Sequence, residues 1–214
     1  MEEINITEEQ LITIVQRAAE SAIRSGMRVV PTGVSNKHLH LTRQELDILF
    51  GHGYQLTPKK KLSQPGQFAS EECVDVIGSK GVLKSVRILG PLRMHTQVEL
   101  ARTDCYRIGV HAPVRSSGDL KGTPGIILRG PNGVLRIREG VIVADRHIHL
   151  STAEAAAFHL KDGDHVSVAV GGIKPGIMEN ILVRAGENHK MDFHIDTDDA
   201  NAFGLHNGSL VTII

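Results

Sequence analysis

The spacing of apolar residues changes once along the chain. Over residues 7–25, "TEEQLITIVQRAAESAIRS", Leu11, Val15, Ala18 and Ala22 recur at helical spacing beside Ile12, Ala19 and Ile23, which predicts an amphipathic helix with a weak, Ala-rich apolar stripe. Thr7 and Gln10 form a capping box, Ile6 is placed to staple onto Leu11, and Gly26 supplies the stop. After "MRVVPTG" the period falls to two. "CVDVIG", "GVLKSVRIL", "TQVEL", "GIILRG", "GVLRIREGVIVAD", "DHVSVAVGG", "NILVRA", "MDFHID" and "SLVTII" are short runs bounded by Gly, Pro, Asn or Asp, the signature of half-buried strands. So many short strands with turn signals predict a mainly β fold, a barrel or a sandwich, with short helices.

Composition agrees with this. The 214 residues include no Trp, two Tyr and five Phe, so the core must come from Val, Ile, Leu and Ala, and 22 Gly favour strands and tight turns. A net charge of zero leaves no broad basic footprint, so no nucleic-acid partner is expected. Lys59, Lys60 and Lys61 form the one basic run, read as a solvated loop or a phosphate contact. Two cysteines, Cys73 and Cys105, are too few for a disulfide scaffold and suit a reducing interior. No apolar run approaches the roughly 18 residues of a membrane span. The expectation is a cytoplasmic protein without a membrane partner.

Twelve histidines are present, and four of them fall in a repeat: "KHLHLT" at 37–42 returns as "RHIHLS" at 146–151. On a strand, residues i and i+2 share a face, so His38 with His40, and His147 with His149, can each grip one metal ion. The residues after each pair support the strand: "TRQE" at 42–45 and "STAE" at 151–154 are capping boxes, each opening a helix expected to end near a Gly. A second correspondence lies downstream, between "VELARTDCYRIGVH" at 98–111 and "FHIDTDDANAFGLH" at 193–206. Both hold Thr-Asp, a short helix and Gly-aliphatic-His. Glu99 and His194, just ahead of Thr-Asp, stand where a third ligand would be useful, although spacing alone leaves a structural role equally open. Two His with Glu, and three His, would each make a zinc site with an open position.

Three readings compete at this level. A metal-dependent amidohydrolase also starts with H-x-H on a strand but needs a barrel of about 250 residues with alternating helices. A cupin-like metal enzyme would use Glu45 or Glu154 after the pair, positions better explained as capping residues. A non-catalytic zinc-binding module would close each site with four protein ligands.

The motifs "GVSNKHLHLT", "QPGQFA", "LGPLRMHTQVELARTD", "HAPVRSSGDLKGTPGI", "GVIVADRHIHLS" and "HIDTDDANA", in that order from about residue 28 to the end, resemble the phosphate propanoyltransferases, the PduL-type phosphotransacylases of bacterial microcompartments. The resemblance implies two small β-barrel domains with capping helices and two zinc ions between them. Together with the internal repeat it divides the chain into a helix over 1–26, a first half over 27–140 and a second over 141–214, with strand exchange between halves allowed.

It further implies that acyl-CoA and phosphate are interconverted with acyl phosphate and coenzyme A. His38, His40 and Glu99 would hold the zinc facing the CoA sulfur, and His147, His149 and His194 the other. Arg93 matches the family's active-site arginine, with phosphate binding as its task, while Ser35, Lys60, Arg87, Leu89, His194 and Asn201 match positions of CoA contact. The family's N-terminal helices often act as encapsulation tags, so residues 7–25 are either a helix docked on its own domain or a tag for microcompartment shell proteins. A homo-oligomer inside a microcompartment is expected.

Overall fold

The computed structural model describes residues 26–214 together with Gln10, Thr13, Ile14 and Arg17. The helix expected over 7–25 lies largely outside the described residues; the four described within it are helical and exposed. From Val29 onward the described residues form fifteen strands and four helices, so the mainly β reading holds. They divide into two compact units, one running to Val34 and resuming with Arg146–Ile195 and Asp199–Ile214, the other Ser35–Asp145 with Asp196–Asp198.

The first unit is a closed barrel. Around it run β1 (Val29–Ser35), β14 (Asp192–Asp196), β11 (His147–Leu150), β13 (Gly176–Ala185), β12 (His165–Val170) and β15 (Leu210–Ile213), which pairs back onto β1. Ile148 and Leu150 of β11 enter a core with Val168, Val183, Phe193 and Ile213. By alternation His147 and His149 face the other way, yet both are buried. The helix after β11, α3 (Thr152–Ala157), carries the expected capping box: the Glu154 amide donates to Ser151 Oγ at 3.2 Å and the Ser151 amide to Glu154 Oε2 at 2.7 Å. Its stop differs from the sequence reading. Phe158 is the C-cap, and His159 with φ 55° takes the left-handed step expected of a Gly. The short helix α4 (Thr197–Phe203) precedes Gly204, whose φ of 65° ends it.

The second unit is a nine-stranded sheet in the order β7 (Val114–Arg115), β10 (Val141–Ala144), β6 (Gln97–Glu99), β2 (His38–His40), β5 (Val82–Gly90), β4 (Phe68–Ile77), β8 (Ile126–Arg129) and β9 (Val134–Ile137), with β3 (Pro58–Lys61) added to β4. One face is the core: Leu39, Val76 and Ile88 are wholly buried, beneath α1 (Arg43–Phe50) with Leu46 and Leu49. Truncating a Leu in such a position to Ala costs about 2–5 kcal/mol. Thr42 and Glu45 cap α1 reciprocally at 3.3 Å in each direction. The next helix, α2 (Arg102–Ile108), ends at left-handed Gly109.

The other face of this sheet carries the candidate ligands His38, His40 and Glu99. Cys73 pairs with Arg87, Arg87 with His38, and His38 with Glu99, so four polar residues form one row across β4, β5, β2 and β6. A bulge in β4 restarts the register, and Lys60 pairs with Ala69 and Ala69 with Leu89. At the end of β5 the Phe68 ring lies against Gly90, where a Cβ would stand 2.1 Å from Cζ. A side chain at 90 would have to displace the Phe68 ring, directly ahead of the loop that holds Arg93.

Candidate functional site

Strand pairing assembles the first ligand group. His38 and His40 alternate onto one face of β2, and antiparallel pairing brings Glu99 of β6 opposite His38. The Asn36 carbonyl, 2.8 Å from Nδ1 of His38, can only accept, so Nδ1 carries the proton. Nε2 is left as the basic nitrogen, 3.4 Å from Glu99 Oε2. Burial pulls the His38 pKa down, but the Glu99 carboxylate outweighs it and the net shift is upward. His40 is held neutral: burial first, then the Arg93 guanidinium and His38, push its pKa down to about 3. Its Nδ1 is buried without a hydrogen-bond partner.

A polar network orients the carboxylate. Ser117 Oγ has one proton, and both Arg93 Nη1 at 3.4 Å and Gln97 Nε2 at 2.8 Å can only donate to it. Its own proton therefore goes to Glu99 Oε1 at 3.3 Å. Gln97 also donates to Glu99 Oε1, while its carbonyl accepts from the Gly118 amide at 2.8 Å, which fixes the orientation of the amide. Oε1 is thus occupied by donors and Oε2 faces His38. Arg93 is anchored by its amide, which donates to the Leu41 carbonyl at 2.9 Å, so the guanidinium hangs from a fixed backbone next to the ligand group.

The barrel builds the second group by the same means. His147 stands opposite His194 across β11 and β14, and His149 opposite Asp192. Nε2 of His147 and Nε2 of His149 are 3.1 Å apart, and the three rings meet edge to face with centroids 4.7–5.2 Å apart. Burial, then His147 and His194, lowers the His149 pKa to about 2. His189 lies against the His149 ring at 4.5 Å.

Both groups fit a metal ion. Within each, one ligand atom per residue lies within 4.8 Å of the others. Two ligand atoms held by one tetrahedral zinc at about 2.0–2.1 Å would stand about 3.3–3.4 Å apart, close to the 3.1 Å between the His147 and His149 nitrogens and the 3.4 Å between His38 Nε2 and Glu99 Oε2. His40 and His149, whose burial keeps them neutral, present the form that ligates. Glu45 and Glu154, the cupin-like alternative, serve as capping residues and belong to neither group.

Of the remaining sequence-predicted residues, Arg87, Leu89 and Lys60 lie on the nine-stranded sheet. Arg87 is in register with His38 and donates Nη1 to the Ser70 carbonyl at 2.6 Å. Leu89 and Lys60 share the adjoining row, and Ser35 ends β1. Asn201 is exposed on α4. His52, His95, His111, His159, His165 and His206 are exposed and join neither group. Cys105 is buried, and burial pushes its thiol up to about 11. Gln97, Ser117, Asp192 and His189 escaped the sequence reading. For two of them a signal existed: Gln97 precedes Glu99, and Asp192 precedes His194, by the same two-residue strand interval that marked the histidine pairs.

Comparison with known proteins agrees with the motif reading. The family profile described as phosphate propanoyltransferase matches residues 31–206. Among curated relatives, the phosphate propanoyltransferase of Thermotoga maritima is 52% identical over 183 residues, covering 85% of this chain and 87% of the relative. The protein of the same name from Salmonella typhimurium is 49% identical over 181 residues, 84% of this chain and 86% of the relative. That from Rhodopseudomonas palustris is 47% identical over 184 residues, 86% and 81% of the two chains. With this identity and coverage, the chain belongs to the phosphate propanoyltransferase family, a family of acyltransferases.

Proposed function

We propose that the chain is a zinc-dependent phosphotransacylase that interconverts propanoyl-CoA and phosphate with propanoyl phosphate and coenzyme A. Supporting the metal part of this reading is one observation above others: His38 opposite Glu99 and His147 opposite His194 repeat a single strand register. His38, His40 and Glu99 would hold one ion and His147, His149 and His194 another. Bound there, zinc would supply Lewis acidity toward a thioester carbonyl and a soft partner for the CoA sulfur. The chain's own residues do the rest. Arg93 offers a planar two-pronged donor that matches the oxygens of the attacking phosphate, with Ser117 as the acceptor that aims it. Gln97 and Ser117 hold Glu99 so that one oxygen stays turned toward His38. A phosphate oxygen forms the new bond to the acyl carbon, the C–S bond breaks, and CoA leaves as the thiolate, with no acyl-enzyme intermediate. Ser35, Lys60, Arg87, Leu89, His194 and Asn201 are proposed to contact CoA.

Propanoyl and acetyl groups differ by one methylene, which a pocket distinguishes by only about 1–3 kcal/mol, so acetyl-CoA is proposed as a second substrate. Residues 7–25 are proposed as the tag for shell proteins, with the enzyme acting as a homo-oligomer inside a microcompartment. No helix among the described residues is long and apolar enough to cross a membrane. The test is thiol release from acetyl- and propanoyl-CoA, with and without phosphate, on a preparation whose metal content is measured. Phosphate-independent release, or activity untouched by complete metal removal, would overturn the reading.

A further inference from the structure

We propose that Asp192 is a positioning residue for His194, fixing which ring nitrogen the barrel's three-histidine group presents to a metal ion. This rests on the metal reading above. Asp192 is buried at 5% exposure, and its Oδ2 lies 2.8 Å from His194 Nε2. An ionised carboxylate only accepts, so Nε2 must be the protonated nitrogen and Nδ1 the one with a free lone pair. The same two-residue interval on β14 puts Asp192 on the ligand face one row along, opposite His149. It is outside the group itself, which comprises His147, His149 and His194.

Gly33 of β1 carries the second observation. A Cβ at this position would stand 2.8 and 2.9 Å from the two Asp192 oxygens and 2.9 Å from His194 Cδ2. All three distances are shorter than side chains tolerate, so the absent side chain at 33 is what gives the Asp192–His194 pair its room. Gly33 is not required by backbone conformation, because its φ lies outside the left-handed region. The need for glycine here is space beside the carboxylate–imidazole pair. A carboxylate that holds the far nitrogen of a ligating histidine fixes the ring's tautomer and angle and raises its basicity, and losing such a partner weakens metal affinity about 10–100-fold.

The experiment titrates zinc into metal-free full-length protein against a chromophoric chelator, for wild type, Asp192→Asn, Asp192→Ala and Gly33→Ala, and follows thermal unfolding of each metal-free form. Asp192→Asn should bind one of two ions about 10–100-fold more weakly, leave the other unchanged, and melt in the metal-free state as the wild type does. Gly33→Ala should weaken the same ion, since it disturbs the same pair from the opposite strand. Wild-type affinity for both ions in Asp192→Asn and Gly33→Ala would overturn the inference, and so would an affinity loss that merely follows a fall in metal-free melting temperature. A wild-type chain that takes up one ion, lost in His38→Ala and kept in His149→Ala, would overturn the barrel's metal site itself. That result is separate from a failure of Asp192 alone.

Discussion

His38 and Glu99 face each other across β2 and β6 with Nε2 and Oε2 3.4 Å apart, while the second nitrogen of His38 is committed to the Asn36 carbonyl at 2.8 Å. His147 stands in the corresponding register position opposite His194 in the barrel. Each group is completed by strands of its own unit, so the two should fail separately. Metal analysis is expected to give close to two ions per chain for the wild type and close to one for His38→Ala and for His147→Ala, with most activity gone in both. A reproducible stoichiometry of one in the wild type would sink the duplicated-site reading.

Period and capping chemistry explain why so much of this was legible in the sequence. The H-x-H pairs could be assigned to strands because the Thr42 and Ser151 capping boxes place helix starts immediately after them, and both boxes form. Glu99 and His194 were open to a structural reading, because a third ligand is delivered by strand pairing and register is not written in any one strand. Ser117 was invisible for a stronger reason. It reaches Glu99 from a loop 18 residues away, and nothing in "VRSSGD" distinguishes Ser117 from Ser116. The helix stop at His159 was missed because a left-handed step by a non-glycine residue has no sequence mark.

Glu72 gives a prediction about acid stability. Its carboxylate is buried at 6% exposure on β4 and accepts from the Thr57 amide at 3.1 Å and from the Tyr54 hydroxyl at 3.1 Å. Burial pushes its pKa upward, but hydrogen bonds, including those from Thr57, outweigh it and hold the carboxyl below the usual range. A group with a depressed folded pKa stabilises fully above its unfolded value of about 4.3, and that stability is lost as pH falls through the folded value. Thermal unfolding of Glu72→Gln should therefore show a lower melting temperature at pH 7, by the equivalent of about 1–3 kcal/mol, and a shallower decline below pH about 4.3. Curves for wild type and variant that run parallel into acid would show that Glu72 is not among the titrating groups that matter.

Removing residues 1–26 should leave phosphate-dependent thiol release largely intact. Every residue assigned to the chemistry lies at Ser35 or beyond, and β1 begins at Val29. Co-sedimentation with shell proteins, or self-association, is where the truncation should register. Loss of activity or of folding instead would make the segment part of the catalytic domain and remove the tag reading.

Arg93→Lys is the sharpest test of the chemistry. Arg93 is tied down through its own amide, which donates to the Leu41 carbonyl at 2.9 Å, so the substitution keeps the loop's backbone anchor and the positive charge. It removes the fork. An ammonium offers a point charge and cannot hold two phosphate oxygens in one plane, nor can it keep the 3.4 Å bond to Ser117 in the same direction. If Arg93 binds the attacking phosphate, the variant should retain both metal ions and CoA affinity and lose rate by about tenfold to a thousandfold, equivalent to about 1.4–4 kcal/mol of barrier, with a raised requirement for phosphate. If Arg93 only braces the loop through Ser117, Lys should be tolerated, or activity and melting temperature should fall together. Rate against phosphate concentration, zinc content, CoA affinity and melting temperature on the same preparation separate the two. A normal rate with unchanged phosphate dependence would take Arg93 out of the mechanism and leave phosphate recognition to be sought elsewhere.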